Sequence, residues 1–260
     1  MSHMPAVGAV LRGDWPDLAA EFDRWGEEGR TARLWWRDDD ATAPAPLLDR
    51  LLGLAEGVPL ALAAIPARVR TNLEDALRRA PLAAVVPHGW QHRNHAGATM
   101  KKSEYPPGRP PSEVAAELAA GRARLAALFG SRALAVFVPP WNRFSAEFLP
   151  LLAGSGIRGL STIASEKPPP QADAVATIDT HVDLVAWRSG RGFIGTAAAL
   201  GGTIAGLRAI RTGRSAAPAL GILTHHAVMD DAVSAFLGRL TAAVAAHPAA
   251  RWASLAELAP

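Results

Sequence analysis

Short apolar runs alternate with amphipathic stretches along the whole chain. The apolar runs have the length of buried strands, and the amphipathic stretches repeat their apolar positions at helical spacing. Strands that alternate with helices predict a parallel sheet covered on both faces. The predicted strands are residues 31–36, 58–65, 82–86, 132–138, 159–162, 174–178 and 220–223. The predicted helices are residues 15–28, 44–56, 72–80, 112–129, with Ser112 as cap, 146–153 and 230–246.

Three other stretches lack a clear period. Residues 97–111 form a polar, proline-rich loop that is long enough to cover a site, and residues 167–171 form an exposed link. Residues 192–213 are compatible with helix or loop, because glycines recur there.

Clusters of polar side chains follow five of the predicted strands at the point where each strand ends. In a parallel α/β barrel the active site is built from the loops at these carboxyl ends. The sequence therefore predicts that the five clusters converge on one site. They are residues 38–40, 88–95, 139–143, 181–183 and 225–226.

Two histidines four residues apart are the first candidates for chemistry. On a helical turn, His88 and His92 would present both imidazoles on one face, where they could share a divalent ion. Alternatively, they only form local hydrogen bonds in a polar loop. Gly89 occupies the position at which a His-Glu-x-x-His metalloprotease helix carries its glutamate. Any general base must therefore come from elsewhere, and the run Asp38-Asp39-Asp40 is the obvious source.

Composition narrows the class of protein. With 260 residues, of which 49% are hydrophobic and 20% charged, one domain over residues 1–260 is expected, with residues 1–4 as an expression scar. The net charge is +3, but the arginines are scattered among acids, so no nucleic-acid-binding face is predicted. Cysteine is absent, which favours a cytoplasmic protein. No apolar run reaches the roughly 20 residues of a membrane span.

Taken together, these motifs resemble the polysaccharide deacetylases of carbohydrate esterase family 4. The resemblance extends from residue 34 to about residue 226, and it implies an α/β fold, a distorted parallel (β/α) barrel of about seven strands. The matching segments are Asp39-Asp40, His88 with His92, Val138-Pro139-Pro140-Trp141, Asp183 with Trp187, and Leu223-Thr224-His225.

The resemblance also implies the roles of the site residues. The expected metal ligands are Asp40, His88 and His92, which hold a divalent ion, zinc before cobalt, nickel or manganese. Asp39 is then the base and His225 the acid. A metal with three protein ligands keeps a position for water and polarises an acyl oxygen, which agrees with this scheme.

Several assignments stay open. A register shifted by one residue makes Asp38 the base and Asp39 the ligand, and His226 is an alternative acid. Val138 replaces the arginine of the family motif, a loss that Arg37 or Arg143 could compensate. His95 and His226 exceed the family pattern and either fix ligand tautomers or reshape the pocket.

The predicted activity is removal of an acetyl or related group from an N-acetylated sugar or small amide, with an ester as a further possibility. The alternatives are a non-catalytic carbohydrate- or metal-binding protein, and a metal-independent amide hydrolase whose histidine pair clamps the substrate. The expected partner is a small molecule or oligosaccharide, and the oligomeric state is open. Candidate substrate-binding residues are Trp36, Trp90, His95, Pro140, Trp141, Asn142, Arg143, Asp183 and Trp187.

Overall fold

The computed structural model describes residues 12–164 and 175–259. The predicted expression scar at residues 1–4 and the link at residues 167–171 lie outside this part of the chain, as does the first residue of the strand predicted at 174–178. The strands are β1 (Ala32–Ala41), β2 (Leu60–Ala64), β3 (Ala83–Pro87), β4 (Val136–Phe137), β5 (Gly159–Leu160), β6 (Ala176–Thr177), β7 (Val182–Asp183), β8 (Leu220–Thr224) and β9 (Ala250–Trp252). The helices are α1 (Trp15–Glu27), α2 (Pro46–Leu54), α3 (Leu73–Ala76), α4 (Pro111–Phe129), α5 (Leu149–Gly154), α6 (Thr196–Arg211), α7 (Asp231–Ala246) and α8 (Leu255–Leu258).

All strands that pair in ladders are parallel. The larger sheet has the order β3-β2-β1-β8-β7, with β9 also paired to β1, and the smaller sheet has the order β4-β5-β6. Isolated bridges from Val85 to Ala133 and from His88 to Val138 join β3 to the segment that contains β4. The predicted α/β fold class is confirmed, and its distortion is visible as this break between two sheets.

The described residues contain nine strands rather than the predicted number of about seven. One reason is that β6 and β7 belong to a single extended segment, in which Ala176 pairs with β5 and Val182 pairs with β8. This segment therefore connects the two sheets. The other reason is β9, whose Ala250 pairs with Ala32 of β1 after the last predicted helix.

Several predicted boundaries were wrong. The strand predicted at residues 132–138 shrinks to β4, because Gly130–Arg132 forms a 3-10 turn. The predicted helix at residues 146–153 divides into a 3-10 turn at Ala146–Phe148 and α5. α4 begins one residue early, with Pro110 at its cap position, so Ser112 does not cap it.

The glycine-rich stretch that gave no clear prediction contains α6. A Cβ on Gly206 would lie 2.3 Å from Leu220 of β8, and one on Gly202 would lie 3.3 Å from Val182 of β7. These glycines therefore let α6 pack closely against the sheet, since a side chain at Gly206 would displace Leu220 and one at Gly202 would be tightly packed. Glycine marks a close contact here, not a loop.

The strands carry the buried core beneath the site. β2 and β8 are buried along their whole length, and in β1 only Arg33 is exposed and Asp40 half-buried. In residues 12–164 and 175–259, none of the helices combines the length and the apolar character that crossing a membrane requires. The polar ends of the parallel strands thus lie above a buried apolar core.

Candidate active site

The three aspartates lie on an irregular end of β1. Asp38 pairs with Leu62 of β2 but Ala41 pairs with Ala64, so β1 has one extra residue in this interval. Asp40 takes up the extra residue with a left-handed φ of 76°. A bulge of this kind breaks the alternation of side chains and changes the direction in which they point. Three adjacent carboxylates can therefore reach three different sets of partners.

Asp38 is fully buried and faces the end of β8. Its carboxylate accepts hydrogen bonds from the Thr224 hydroxyl at 2.7 Å and from the backbone N–H of His226 at 2.9 Å. Nδ1 of His226 also contacts it. Since Asp38 and His226 satisfy one another behind the site, they tie β1 to β8.

Asp39 is held by Arg37, the other fully buried charge of β1. Arg37 Nε lies 2.8 Å from Asp39 Oδ1, and a terminal nitrogen donates to Oδ2 at 3.1 Å. The rest of the guanidinium donates to the side chains of Ser161 and Asn142, both at 2.7 Å. This arrangement holds both oxygens of the carboxylate from one side. It also supplies the cation that Val138 cannot.

Asp40 lies between the two histidines. Its Oδ1 is 3.3 Å from Nε2 of His88 and 3.2 Å from Nε2 of His92, and the three candidate ligand atoms lie within 4.8 Å of one another. Burial alone would raise the pKa of the Asp40 carboxyl, but the neighbouring imidazoles hold it well below its usual range. Nδ1 of His88 is 3.1 Å from the Val138 carbonyl, to which it donates, so in the neutral imidazole Nε2 keeps the lone pair.

The histidine pair lies in a loop, not on the helical turn on which its spacing would present both rings on one face. Residues 88–95 form an irregular loop in which Gly89 and His92 have left-handed φ values of 62° and 56°. The two rings nevertheless have centroids 5.1 Å apart, because these two residues turn the chain back on itself. The Trp141 ring packs against His92 at 4.3 Å.

His225 reaches the site from the end of β8. Its Nε2 is 3.9 Å from Asp39 Oδ2, and its Nδ1 is 3.9 Å from Asp183 Oδ1. Asp183 also accepts a 2.7 Å hydrogen bond from the Trp187 indole, whose ring packs edge-on against His225 at 4.7 Å. Burial raises the pKa of the Asp183 carboxyl. The imidazole is thus positioned between two carboxylates.

A buried carboxylate of the proline-rich loop supports the histidine loop. Glu104 accepts backbone N–H groups from Trp90 at 3.1 Å, Gln91 at 2.7 Å and Arg93 at 3.4 Å. Those donors flank His92, and Gly89 leaves room for the carboxylate, since a Cβ there would lie 1.9 Å from Glu104 Oε2. The loop predicted to cover a site therefore also positions its histidines.

We expect Glu104→Gln to weaken metal binding by about 10- to 100-fold, the usual effect of losing a group that orients a ligand. The amide offers one acceptor oxygen instead of two, and its N–H₂ faces backbone donors. Metal titration of the folded variant measures the loss. The matched control is Glu113→Gln, which changes an exposed carboxylate on α4. Equal metal dissociation constants in both variants would contradict the positioning role.

These groups open into a cavity of about 680 Å³. Each of the five clusters that follow predicted strands contributes at least one residue to it. His181 does not line it and instead accepts the backbone N–H of Gly221 at 2.9 Å. The predicted site residues that line it are Asp39, Asp40, His88, His92, Trp141, Asn142, Arg143, Asp183, Trp187 and His225.

Other predicted residues lie outside the cavity lining. Trp36 is 1% exposed, packs against Trp252 and donates its indole N–H to Thr224, so it is a core residue. Pro140 is buried and packs against Gly89. His95 is exposed, and its backbone N–H donates to the Ser103 carbonyl. Three more predicted residues are absent from the lining, namely Asp38, Trp90 and His226.

Sequence reasoning missed several residues of the site. Glu104 is the only carboxylate in residues 97–111, which could have indicated it. Arg37 was only one of two candidates for the missing cation. Lys102 lies in the loop that was predicted to cover a site, but no signal pointed to the other missed lining residues, Ile163, Arg188 and Arg191.

Comparisons with known proteins place this geometry in a known fold. Neither a family model nor a curated protein matches the chain. Several solved structures do match the chain. A protein assigned as a polysaccharide deacetylase from Mycobacterium smegmatis has a TM-score of 0.62 at 18% identity, with 98% of this chain and 93% of that one covered.

Two family 4 esterases are also similar. The enzyme from Streptomyces lividans, solved with acetate, has a TM-score of 0.52 at 14% identity, covering 82% of this chain and 88% of its own. The acetyl xylan esterase from Clostridium thermocellum, solved with cobalt, has a TM-score of 0.52 at 15% identity, covering 87% and 89%. The chain therefore has the fold of the family 4 carbohydrate esterases.

Proposed function

We propose that the protein is a metal-dependent hydrolase that removes an acetyl group from an N-acetylated sugar or related small amide. The observation that carries this proposal is the convergence of Asp40, His88 and His92 beside Asp39 and His225 in one cavity. Solved proteins of this fold are described as deacetylases and esterases, which supports the same class of reaction.

The residues present fit a divalent metal. Asp40 Oδ1 is buried and has no hydrogen-bond partner in residues 12–164 and 175–259, although two imidazole nitrogens face it. One carboxylate and two imidazoles suit zinc, and also cobalt, nickel or manganese. A bound metal would polarise the acyl oxygen and lower the pKa of water. We propose Asp40, His88 and His92 as its ligands.

Asp39 is the proposed general base. Arg37 binds both of its oxygens from one side, and Asp39 also lines the cavity, where it can take the proton of an attacking water. Asp38 is fully buried and already accepts hydrogen bonds from Thr224 and His226. Its position supports the register with Asp39 as base and Asp40 as ligand over the shifted one.

His225 is the proposed general acid, which donates its proton to the leaving nitrogen. It lines the cavity, and Asp183 lies on its Nδ1 side. The neighbouring His226 is engaged by Asp38 instead. The rings of Trp141 and Trp187 line the same cavity and offer faces suited to a sugar.

The ion pair between Arg37 and Asp39 orients the proposed base, which favours a catalytic function over a purely binding one. Loss of the motif arginine at Val138 would argue for a non-catalytic protein, but a buried guanidinium, that of Arg37, contacts the proposed base. We retain the predictions of a single domain over residues 1–260 and a cytoplasmic location, the latter favoured by the lack of cysteine.

The test is metal content together with acetate release. Purified protein should carry near one equivalent of metal and release acetate from N-acetylated sugars. Chelation should abolish the release, and zinc or cobalt should restore it. Protein that carries no metal and binds none on reconstitution would refute the metal mechanism. Metal-loaded protein that hydrolyses no amide or ester would instead support a binding function.

A further inference from the structure

Four cationic side chains line the same cavity as the proposed catalytic groups. They come from three loops at the carboxyl ends of the strands, and they are Lys102, Arg143, Arg188 and Arg191. Among residues 12–164 and 175–259, the carboxylates in the lining are Asp39, Asp40 and Asp183, which belong to the proposed catalytic machinery. A neutral sugar amide requires no such excess of positive charge.

The segments that carry two of the cations, Lys102 and Arg143, are hydrogen-bonded to one another. Arg143 donates a terminal N–H to the Lys102 carbonyl at 2.8 Å, and the Ser103 hydroxyl donates to the Arg143 carbonyl at 3.3 Å. A bridge between Tyr105 and Phe144 extends the contact. The proline-rich loop and the segment after β4 therefore present Lys102 and Arg143 together.

The other two cations lie on a tight turn after β7. Ala186 donates its N–H to the Gly192 carbonyl at 2.8 Å, and Arg191 donates its own to the Ala186 carbonyl at 3.1 Å. Val185 and Phe193 bridge the base of the turn in antiparallel fashion. The turn thus presents Arg188 and Arg191 as exposed side chains that line the cavity.

The carboxylates that line the cavity do not balance these four positive charges. Arg37 neutralises Asp39 from behind, and a divalent ion would more than neutralise Asp40. Within residues 12–164 and 175–259, no carboxylate forms an ion pair with any of the four cations. Charges of one sign around a cleft attract ligands of the opposite sign.

We propose that the substrate is anionic: an N-acylated sugar or small amide that carries a carboxylate or a phosphate, bound by the rim formed by Lys102, Arg143, Arg188 and Arg191. This inference rests on the deacetylase function proposed above and specifies its substrate class. Guanidinium groups suit either anion, because both present paired oxygens to the fork of N–H donors.

The experiment compares three related compounds: N-acetylglucosamine, its phosphate monoester, and its lactyl ether N-acetylmuramic acid. The kcat/KM of metal-loaded protein should be at least about tenfold higher for one or both anionic compounds. The preference should shrink as salt rises from roughly 0.01 to 1 M, which shortens the screening length from about 30 to 3 Å. The better of the two anions then distinguishes phosphate from carboxylate.

The variant that tests the rim is Arg188→Glu with Arg191→Glu. It should lower the ratio of anionic to neutral kcat/KM by about tenfold or more, since attraction becomes repulsion. The matched control is Arg79→Glu with Arg214→Glu, two exposed residues that precede β3 and β8 and so lie at the other end of the parallel strands. The control should keep the wild-type ratio.

Binding measurements separate the failure of this proposal from the failure of the proposed function. If no compound is hydrolysed, the deacetylase function fails, but quenching of Trp141 and Trp187 fluorescence still gives dissociation constants for all three. Anion preference in binding that disappears in the double variant supports the rim. Equal constants for neutral and anionic compounds, or a preference unchanged by the double variant, overturn it.

Discussion

Replacing Asp39 by Asn should lower kcat by about 10²- to 10⁴-fold, the usual contribution of a general base. Asn retains the shape and can still accept a hydrogen bond from Arg37, but it cannot take a proton from water. The metal should remain bound, because the proposed ligands Asp40, His88 and His92 are unchanged. The measurement is acetate release together with metal content on the same sample.

Two further variants make this result specific. Asp40→Asn should lose metal and activity together, whereas Asp75→Asn, an exposed residue on α3, should change neither. The shifted register predicts the reverse pattern, in which Asp39→Asn loses the metal and Asp38→Asn loses only rate. Full activity in metal-loaded Asp39→Asn would mean that another group takes the proton.

The sequence predicted where the site lies because the position of the site depends on the order and direction of the strands. Parallel strands end at the same edge, so the polar residues after β1, β3 and β8 had to converge. Strand positions followed from apolar runs that are buried along their length, such as β2 and β8. These features need no knowledge of individual side-chain directions.

The sequence could not predict how the site residues are oriented. The direction of each aspartate depends on the extra residue in β1 and on the left-handed φ of Asp40, and neither changes the apolar pattern. The histidine pair had the spacing of a helical turn, yet Gly89 and His92 form a loop instead. That loop depends on Glu104, which lies 12 residues beyond His92 in the chain. Contacts of this kind are tertiary, and periodicity carries no information about them.

Arg37 shows most clearly what a linear motif misses. The family pattern places an arginine where this chain has Val138, so the motif looks incomplete. Val138 still contributes its carbonyl to His88, and the cation comes from β1, two residues before the carboxylate that it binds. Residues i and i+2 of a strand share a face, which lets Arg37 and Asp39 meet beside Asn142.

Arg37→Met should lower the free energy of unfolding by about 3–5 kcal/mol, the cost of breaking a buried ion pair from one side. Methionine fills much of the volume but leaves Asp39 as an uncompensated buried charge, and it also removes the donors to Ser161 and Asn142. Urea unfolding of the metal-free protein measures the difference. The matched control is Arg50→Met, which breaks an exposed pair with Asp231 and should cost about 0–1 kcal/mol.

Arg37→Lys separates the charge from the geometry. Lysine keeps the positive charge, so it should recover part of the stability, but its single ammonium cannot bind both oxygens of Asp39 while donating to Ser161 and Asn142. We therefore expect kcat to stay well below wild type at unchanged metal content. Full recovery of both stability and rate would mean that the site needs only a cation beneath Asp39. Recovery of stability alone would mean that the guanidinium plane is what orients the base.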